Sequence, residues 1–471
     1  MGINTVILVT MLLLGGCAIP PSTGKPALEE GGEVYLYLQP LPREAQKLKF
    51  SLDRLSAIGS DGREFPLSLA VREFQNSQVP RQRFIAAGPL APGQYSGLSF
   101  TVTKATLAGE EEEADLLVPQ EPVKANFSFA VERKQAVVLS LAFQYAESVR
   151  RNFSFSPVFS ISVPPLPPSG LAGYACNRDD NTVTVFDKKS GQVMAVIATG
   201  KAPESLAFDR KLGRVYVALS GEDGIDVIDT LDRSPRTRIR LNVGDGPAEL
   251  ALAPDGGALV SMNIVSRTVS IIDTRSQVEA GRITVGDGPH ALLMDKTGQR
   301  CYVFNAFSNT ISIIDVPNRA LAATISTEPR PLRGQLNRKG DRLYVIHGGS
   351  PYLSVIDPVS LSVVKRVYIG LDLGFIKVDP ATDMVYLLRK LDNRIEAYDP
   401  YTLLLGNVVP ADSIDTPSGV GYMTIDSEEN NLYLVNSEQN RLTVISLVSK
   451  KVVSETDVGE HPTWTTVTGE R

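Results

Sequence analysis

Thr182-Val-Thr-Val-Phe-Asp187 is followed by Ile225-Asp-Val-Ile-Asp229, Thr268-Val-Ser-Ile-Ile-Asp273, Thr310-Ile-Ser-Ile-Ile-Asp315, Tyr352-Leu-Ser-Val-Ile-Asp357, Arg394-Ile-Glu-Ala-Tyr-Asp399 and Arg441-Leu-Thr-Val-Ile-Ser446. The last residues of these runs are 42, 44, 42, 42, 42 and 47 positions apart. A second marker keeps the same phase at Tyr174, Tyr216, Val260, Tyr302, Tyr344, Tyr386 and Tyr433. Seven copies therefore fill residues 171 to 471, which is 301 residues or 43 per copy. Each copy reads as four short strands: an inner one after a Gly-x-x-Pro turn, such as Pro247-Ala-Glu-Leu-Ala-Leu, then the Tyr strand, the strand ending in Asp, and an outer strand such as Gln192-Val-Met-Ala-Val-Ile. A period of 40 to 45 with several strands per copy predicts a β-propeller of seven blades. No copy holds a convincing helical period, so a solenoid is the weaker reading. The first copy lacks an inner strand, and the surplus segment His461-Pro-Thr-Trp464-Thr-Thr-Val-Thr468 is expected to supply it and close the ring. Closure removes the open sheet edges that invite aggregation.

Cys301-Tyr-Val-Phe-Asn305, Asn309-Thr-Ile-Ser-Ile-Ile-Asp315 and Val285-Gly-Asp-Gly-Pro289 resemble the YVTN-type propeller repeat of bacterial and archaeal surface proteins, and the resemblance covers residues 171 to 471. Two copies depart from it: Leu259-Val-Ser-Met replaces the Tyr segment, and Gly370-Leu-Asp-Leu373 replaces the Gly-x-x-Pro turn. The resemblance implies an extracytoplasmic location and binding, and no single reaction.

Upstream, residues 31 to 165 alternate polar and apolar side chains at period two, as in Glu33-Val-Tyr-Leu-Tyr-Leu, Tyr95-Ser-Gly-Leu-Ser-Phe-Thr-Val and Ala136-Val-Val-Leu-Ser-Leu-Ala-Phe. Half-buried antiparallel strands and a β-sandwich of 31–165 follow. The order Leu90-Ala-Pro-Gly-Gln-Tyr95, Val118-Pro and Phe127-Ser-Phe resembles an uncharacterised sandwich domain found at the N-terminus of bacterial lipoproteins. Pro164-Pro-Leu-Pro-Pro168 reads as a stiff spacer over 166–170, expected to hold the two domains apart or at a restricted angle. The fold class is all-β throughout.

Val6 to Leu14 is an apolar run too short for a permanent membrane span and of the right length for a signal-peptide core. It ends in Leu14-Gly15-Gly16-Cys17, which resembles the bacterial lipobox, with residues 1–16 as signal peptide, Cys17 as the lipid-bearing mature N-terminus and 17–30 as a flexible tether. Ala18, rather than Asp, after the cysteine implies the outer membrane by analogy with Gram-negative sorting.

The 471 residues carry 47 Lys+Arg against 53 Asp+Glu, a formal charge of −6, with only three His and three Cys. This acidic balance argues against a nucleic-acid partner. No CxxC, CxxCH, HxH or HExxH spacing is present, so no metal, haem or other cofactor and no catalytic group is assigned. Cys176 and Cys301 fall in the Tyr strands of blades too far apart to bridge and are expected as buried free thiols. The Asp that ends the third strand recurs in six copies, which points to turn capping rather than catalysis. The run Glu110-Glu-Glu-Glu113 is read as a solvated hairpin tip rather than a Ca²⁺ loop.

A repeated scaffold carries its site where the copies differ. Loops before the inner strands place Glu204, His290, Arg333 and His461 at one mouth of the channel, and loops joining second to third strands add His347 to the same face. These five are the candidate ligand or partner residues. The favoured reading is a membrane-anchored lipoprotein that binds an envelope protein, peptide or polysaccharide. The alternative is a propeller lyase, lactonase or dehydrogenase-type subunit using His290, His347 and His461.

Overall fold

The computed structural model describes residues 25, 28, 31–75, 79–109, 113–165, 167–230, 235–405 and 409–468. Cys17, the signal segment and most of the tether lie outside these residues, as do three of the four glutamates of the 110–113 run.

Seven four-stranded antiparallel sheets form the blades, here numbered I to VII in chain order. Blade II is representative, with strands Pro203–Asp209, Arg214–Leu219, Gly224–Asp229 and Pro235–Arg240 running from the channel outward. The inner strands of blades III to VII begin at Pro247, Pro289, Pro331, Leu373 and Val420. Blade I is assembled from both ends of the repeat region. Strands Ala172–Asn177, Thr182–Asp187 and Val193–Ala198 come from the start, and Pro462–Val467 from the end supplies its inner strand, with Tyr174 opposite Thr466 and Cys176 opposite Trp464. The expected closure is thus the observed one.

The Tyr and Asp markers have separate physical roles. Tyr216, Tyr302, Tyr344 and Tyr433 are fully buried, and the apolar clusters they join interleave side chains of neighbouring blades. The carboxylates of Asp187, Asp273, Asp315, Asp357 and Asp399 accept hydrogen bonds from backbone N–H groups two or three residues on, the first four capping the turn to the next strand and Asp399 the start of the short helix Pro400–Leu404. Cys176 and Cys301 are buried and unbridged, in different interblade clusters. Where Gly370-Leu-Asp-Leu373 lacks the expected proline, Asp372 takes φ 73°, the left-handed conformation that Gly246, Gly288 and Arg330 adopt at the same point of their copies, so the turn keeps its shape.

The N-terminal unit is a strongly curled, sandwich-like sheet. Its strand path runs Phe159–Ser162, Ala136–Phe143, Gly32–Leu38, Arg83–Leu90, Glu64–Leu69, Leu48–Gly59 and Gly93–Ala108, around one apolar core that includes Phe50, Phe100, Phe143 and Phe155. Strands Gly32–Leu38 and Ala136–Phe143 pair in parallel, a departure from the all-antiparallel expectation.

Rather than standing apart, the two units share an interface against the outer strands of blades I and VII. Tyr35, Tyr37 and Val138 bury an apolar cluster with Val193 and Val196 of blade I, and Val193 N–H donates to Gln82 Oε1 at 2.7 Å. Arg83 Nε donates to Asp457 Oδ2 of blade VII at 2.7 Å, and Arg81 pairs with Glu455.

Lys188, 2% exposed, lies at the closure. Its ammonium group pairs with fully buried Asp426 of blade VII and donates to the Thr468 carbonyl at 2.6 Å, just past the closing strand. Removing one member of a buried pair strands the other charge. We expect Lys188→Met to cost about 3–5 kcal/mol by chemical denaturation, and Lys188→Met with Asp426→Leu to recover most of it.

Candidate functional site

Each inner strand begins with a two-for-one bulge, seen for example between Pro289 and Ala291 and between Pro331 and Arg333. Two residues beyond the first position, the copies diverge into a layer of large side chains: Glu249, Arg333, Phe375, Tyr422 and Trp464. Arg333 crosses to Glu249, two blades away, in a bidentate pair with both N–O distances at 2.8 Å. Its guanidinium lies 4.5 Å from the Phe375 ring centre and 5.6 Å from that of Trp464, within cation–π range. Tyr422 stacks against Trp464 with centroids 4.0 Å apart and meets Phe375 edge-on at 5.0 Å. Arg333 and Glu249 are both nearly buried, so this layer closes the channel with a neutralised ion pair and three rings.

On one side of the layer the channel is open. A cavity of about 970 Å³ runs from the floor formed by Glu249, Arg333, Phe375, Tyr422 and Trp464 to the loops joining first to second strands. Ala207, Leu250, Leu293 and Leu336 line its walls, and Arg210, Lys211, Lys296 and Arg338 stand at its rim. That volume is in the range of small-molecule sites.

The five residues picked from the sequence fall into three places. Arg333 is in the channel, as the floor of the cavity. His290 is close to it on the other side of the layer: its Nδ1 lies 2.9 Å from the Leu332 carbonyl oxygen, and its ring stays reachable by solvent although protein surrounds it. Burial first, then the Arg333 guanidinium, push the imidazole down to about 4, so it is neutral at pH 7. Glu204 and His461 form a second group at the blade I–II boundary. Arg178 Nε is 2.9 Å from Glu204 Oε1, Ser220 donates to the same oxygen at 3.1 Å, and His461 Nδ1 is 3.6 Å from Asp179 Oδ2. Burial raises the Glu204 carboxyl against the opposing pull of Arg178.

His347 is not at the mouth. It is 1% exposed and ends the Tyr strand of blade V, three residues after Tyr344, where other copies carry Asn177, Asn263, Asn305 and Asn436. Those asparagines are scaffold: Asn177, Asn263 and Asn305 each donate to Thr or Ser hydroxyls of the neighbouring strand at 2.8–3.2 Å. His347 replaces the contact with Nδ1 at 3.1 Å from the Tyr352 carbonyl oxygen, and its Nε2 has no partner. Its phase relative to the Tyr, which sets it with these asparagines, is the sequence signal that marks it as scaffold. The expectation of one binding mouth on this face is therefore corrected: the charged layer fills the channel there, and the cavity opens at the opposite end. The three imidazoles each hydrogen-bond or ion-pair in a different blade and do not converge.

With this geometry in place, the relatives can be set beside it. The architecture is that of a seven-bladed β-propeller carrying an N-terminal curled-sheet domain. Residues 173–381 match the YNCE-like β-propeller family, from the start of blade I to just beyond the inner strand of blade VI. No curated protein matches the chain in sequence. Among solved structures, a chain of Kuenenia stuttgartiensis hydrazine synthase is similar with TM-score 0.53 and 16% identity, covering 60% of this chain and 94% of that one. A functionally unknown protein from Desulfotomaculum acetoxidans DSM 771 gives 0.53 and 15%, covering 61% and 97%. The dihydro-heme d1 dehydrogenase NirN in complex with DHE gives 0.50 and 15%, covering 65% and 78%. At such identities the likeness is one of fold.

Two measurements test the site's energetics. Arg333→Met leaves Glu249 buried without its partner, and a loss of about 3–5 kcal/mol is expected, largely restored by Glu249→Leu in the same chain. His347, held near 4 by burial against about 6.5 when unfolded, takes up its proton more readily in the unfolded chain. Its contribution therefore falls as pH drops from about 6.5 to 4, by at most about 1.4 kcal/mol per pH unit. Denaturation of wild type and His347→Gln across that range should show a shallower slope for the variant.

Proposed function

We propose that the protein is a lipid-anchored lipoprotein of the outer membrane whose propeller channel is a ligand-binding site, with the N-terminal domain as its stalk. Fold alone does not decide among the many functions propellers host, so the reading rests on the site. The observation that carries it is the cavity of about 970 Å³, blind at the Arg333–Glu249 layer and open at the other end. Surface charge scattered over a propeller would not produce a pocket lined by residues of all seven blades. The hydrazine synthase and NirN likenesses bring enzymes into view, but they extend to the fold alone, and among the described residues no His lines the cavity.

The anchor reading rests on Leu14-Gly15-Gly16-Cys17 and gains support from where the chain emerges. Lys25 N–H donates to the Asp179 carbonyl at 2.9 Å, and Asn181 bonds the Lys25 carbonyl, on the closed face of the ring. From Cys17 to Lys25 is 25 − 17 = 8 residues, a reach of at most about 28 Å. A lipid on Cys17 keeps the closed face toward the bilayer and turns the open mouth away from it.

Labelled palmitate should enter the wild-type protein and not Cys17→Ser, which should leave the membrane fraction; a Cys17→Ser protein processed and fractionated as wild type overturns the anchor. Native mass spectrometry of protein extracted from envelopes should show a bound small molecule whose occupancy falls in Ala251→Phe, which narrows the cavity. A cavity equally empty in both overturns the binding role.

A further inference from the structure

The cavity's polarity is sorted along its axis. At the floor Arg333 and Glu249 cancel, and the exposed part of half-buried Trp464 adds a flat apolar surface. The walls above are aliphatic at Ala207, Leu250, Leu293 and Leu336 and polar at Gln335, Lys377 and Thr466. Charge gathers at the rim, where Arg210 and Lys211 of blade II, Lys296 of blade IV and Arg338 of blade V are all exposed.

The rim cations are held in place without being neutralised. Lys211 Nζ donates to the Asp255 carbonyl at 3.1 Å, Lys296 Nζ to the Arg338 carbonyl at 2.6 Å and Arg338 Nη1 to the Ala381 carbonyl at 3.2 Å, each reaching the next blade. Carbonyl partners fix a cationic head and leave its charge. The carboxylates lining the same mouth are engaged by their own turns: Asp209 Oδ1 accepts from Lys211 and Leu212 N–H, and Asp295 Oδ1 from Thr297 and Gln299 N–H. Arg210 has a carboxylate, Glu428, at 3.9 Å, with both side chains half exposed. The rim thus carries more cations than carboxylates, on a protein whose formal charge is −6. A mouth with an excess of one sign around a low-dielectric cleft draws the opposite charge toward it.

We infer that the cavity takes an amphiphilic anion: a ring system or acyl chain entering against Trp464 and the aliphatic walls, with a carboxylate, phosphate or sulfonate held by the rim cations. This rests on the binding role proposed above and gives that site its ligand class. A neutral apolar ligand would fill the walls and leave the rim unused, while a compact inorganic anion would leave some 970 Å³ of largely apolar space unfilled.

Trp464 is the single tryptophan of the chain, so its fluorescence reports this cavity alone. Two probes with the same rings separate the contributions: 8-anilinonaphthalene-1-sulfonate, which carries the anionic group, and N-phenyl-1-naphthylamine, which lacks it. Titrated into the full-length protein at low salt, the sulfonate should quench Trp464 saturably with one site per chain and bind about ten-fold tighter than the amine. Lys296→Glu with Arg338→Glu should weaken the sulfonate by about ten-fold or more and leave the amine within about two-fold. The milder pair Lys296→Gln and Arg338→Gln should fall between, which keeps the test decisive if charge reversal impairs folding. If both probes quench equally and neither pair of substitutions matters, the anionic class is overturned while the binding cavity stands. If neither probe quenches Trp464, the cavity is not a binding site and both readings fall.

Discussion

The pairing of Ala172–Asn177 with Pro462–Val467 is the constraint on which everything else rests, because it joins the two ends of the repeat region inside one blade. A seven-sheet ring without it would present an open inner edge on blade I and leave the last segment unpaired. The pairing is reinforced beside the strands: Lys188, after the third strand of blade I, reaches both Asp426 of blade VII and the carbonyl of Thr468. Contacts between residues so distant in sequence carry a large loop-closure entropy. Ladder bonds, a buried ion pair and the Tyr422–Trp464 stack share that cost across the blade VII–I boundary.

Closure also decides what the channel can do. Trp464 belongs to the closing strand and is at once part of the wall that Arg333 stacks on and part of the cavity floor. The channel layer therefore forms only when the ring is complete, and the site inherits its rigidity from the fold rather than from loops. The same layer separates two chemically different ends: a closed face with His290 kept neutral beside Arg333, and an open one with exposed cations held on carbonyl oxygens.

Much of this was legible in the sequence because a repeat compares seven versions of one position. The blade number, the closing strand, the capping role of Asp187 and its counterparts, and the burial of Cys176 and Cys301 all follow from phase and composition. The same comparison, carried one position further, separates His347 from the functional candidates, since it stands where four copies have a buried Asn. The channel layer was less accessible. Each inner strand starts with a bulge that inserts one residue into the pairing, so counting from the turn by alternation does not say which side chain points down the axis. Nor does sequence spacing tell that Arg333 and Glu249, 84 residues apart, meet and seal one end. Arg333 was found as a variable charged position; its role as a floor rather than a mouth residue depends on that meeting.

The N-terminal domain occupies the one place on the ring where it reinforces closure. Its contacts divide between the outer strand of blade I, through Val193 and Val196, and that of blade VII, through Glu455 and Asp457. These are the two blades between which the ring is joined, and their outer strands are edges that water would otherwise contact. A domain seated there bridges the join from outside while Lys188 bridges it from within. Arg441 of blade VII draws near the same Glu455 and Asp457 carboxylates at 3.5 and 3.6 Å, so the ions that bind the domain are continuous with those inside the blade. The proline-rich segment between the units then serves less to separate them than to carry the chain from one side of this contact to the start of blade I. Because both ends of the propeller and the N-terminal domain meet at a single boundary, a disturbance there reaches Trp464 through the closing strand itself, whereas one in blade III or V reaches it across the channel, through Glu249 and Arg333.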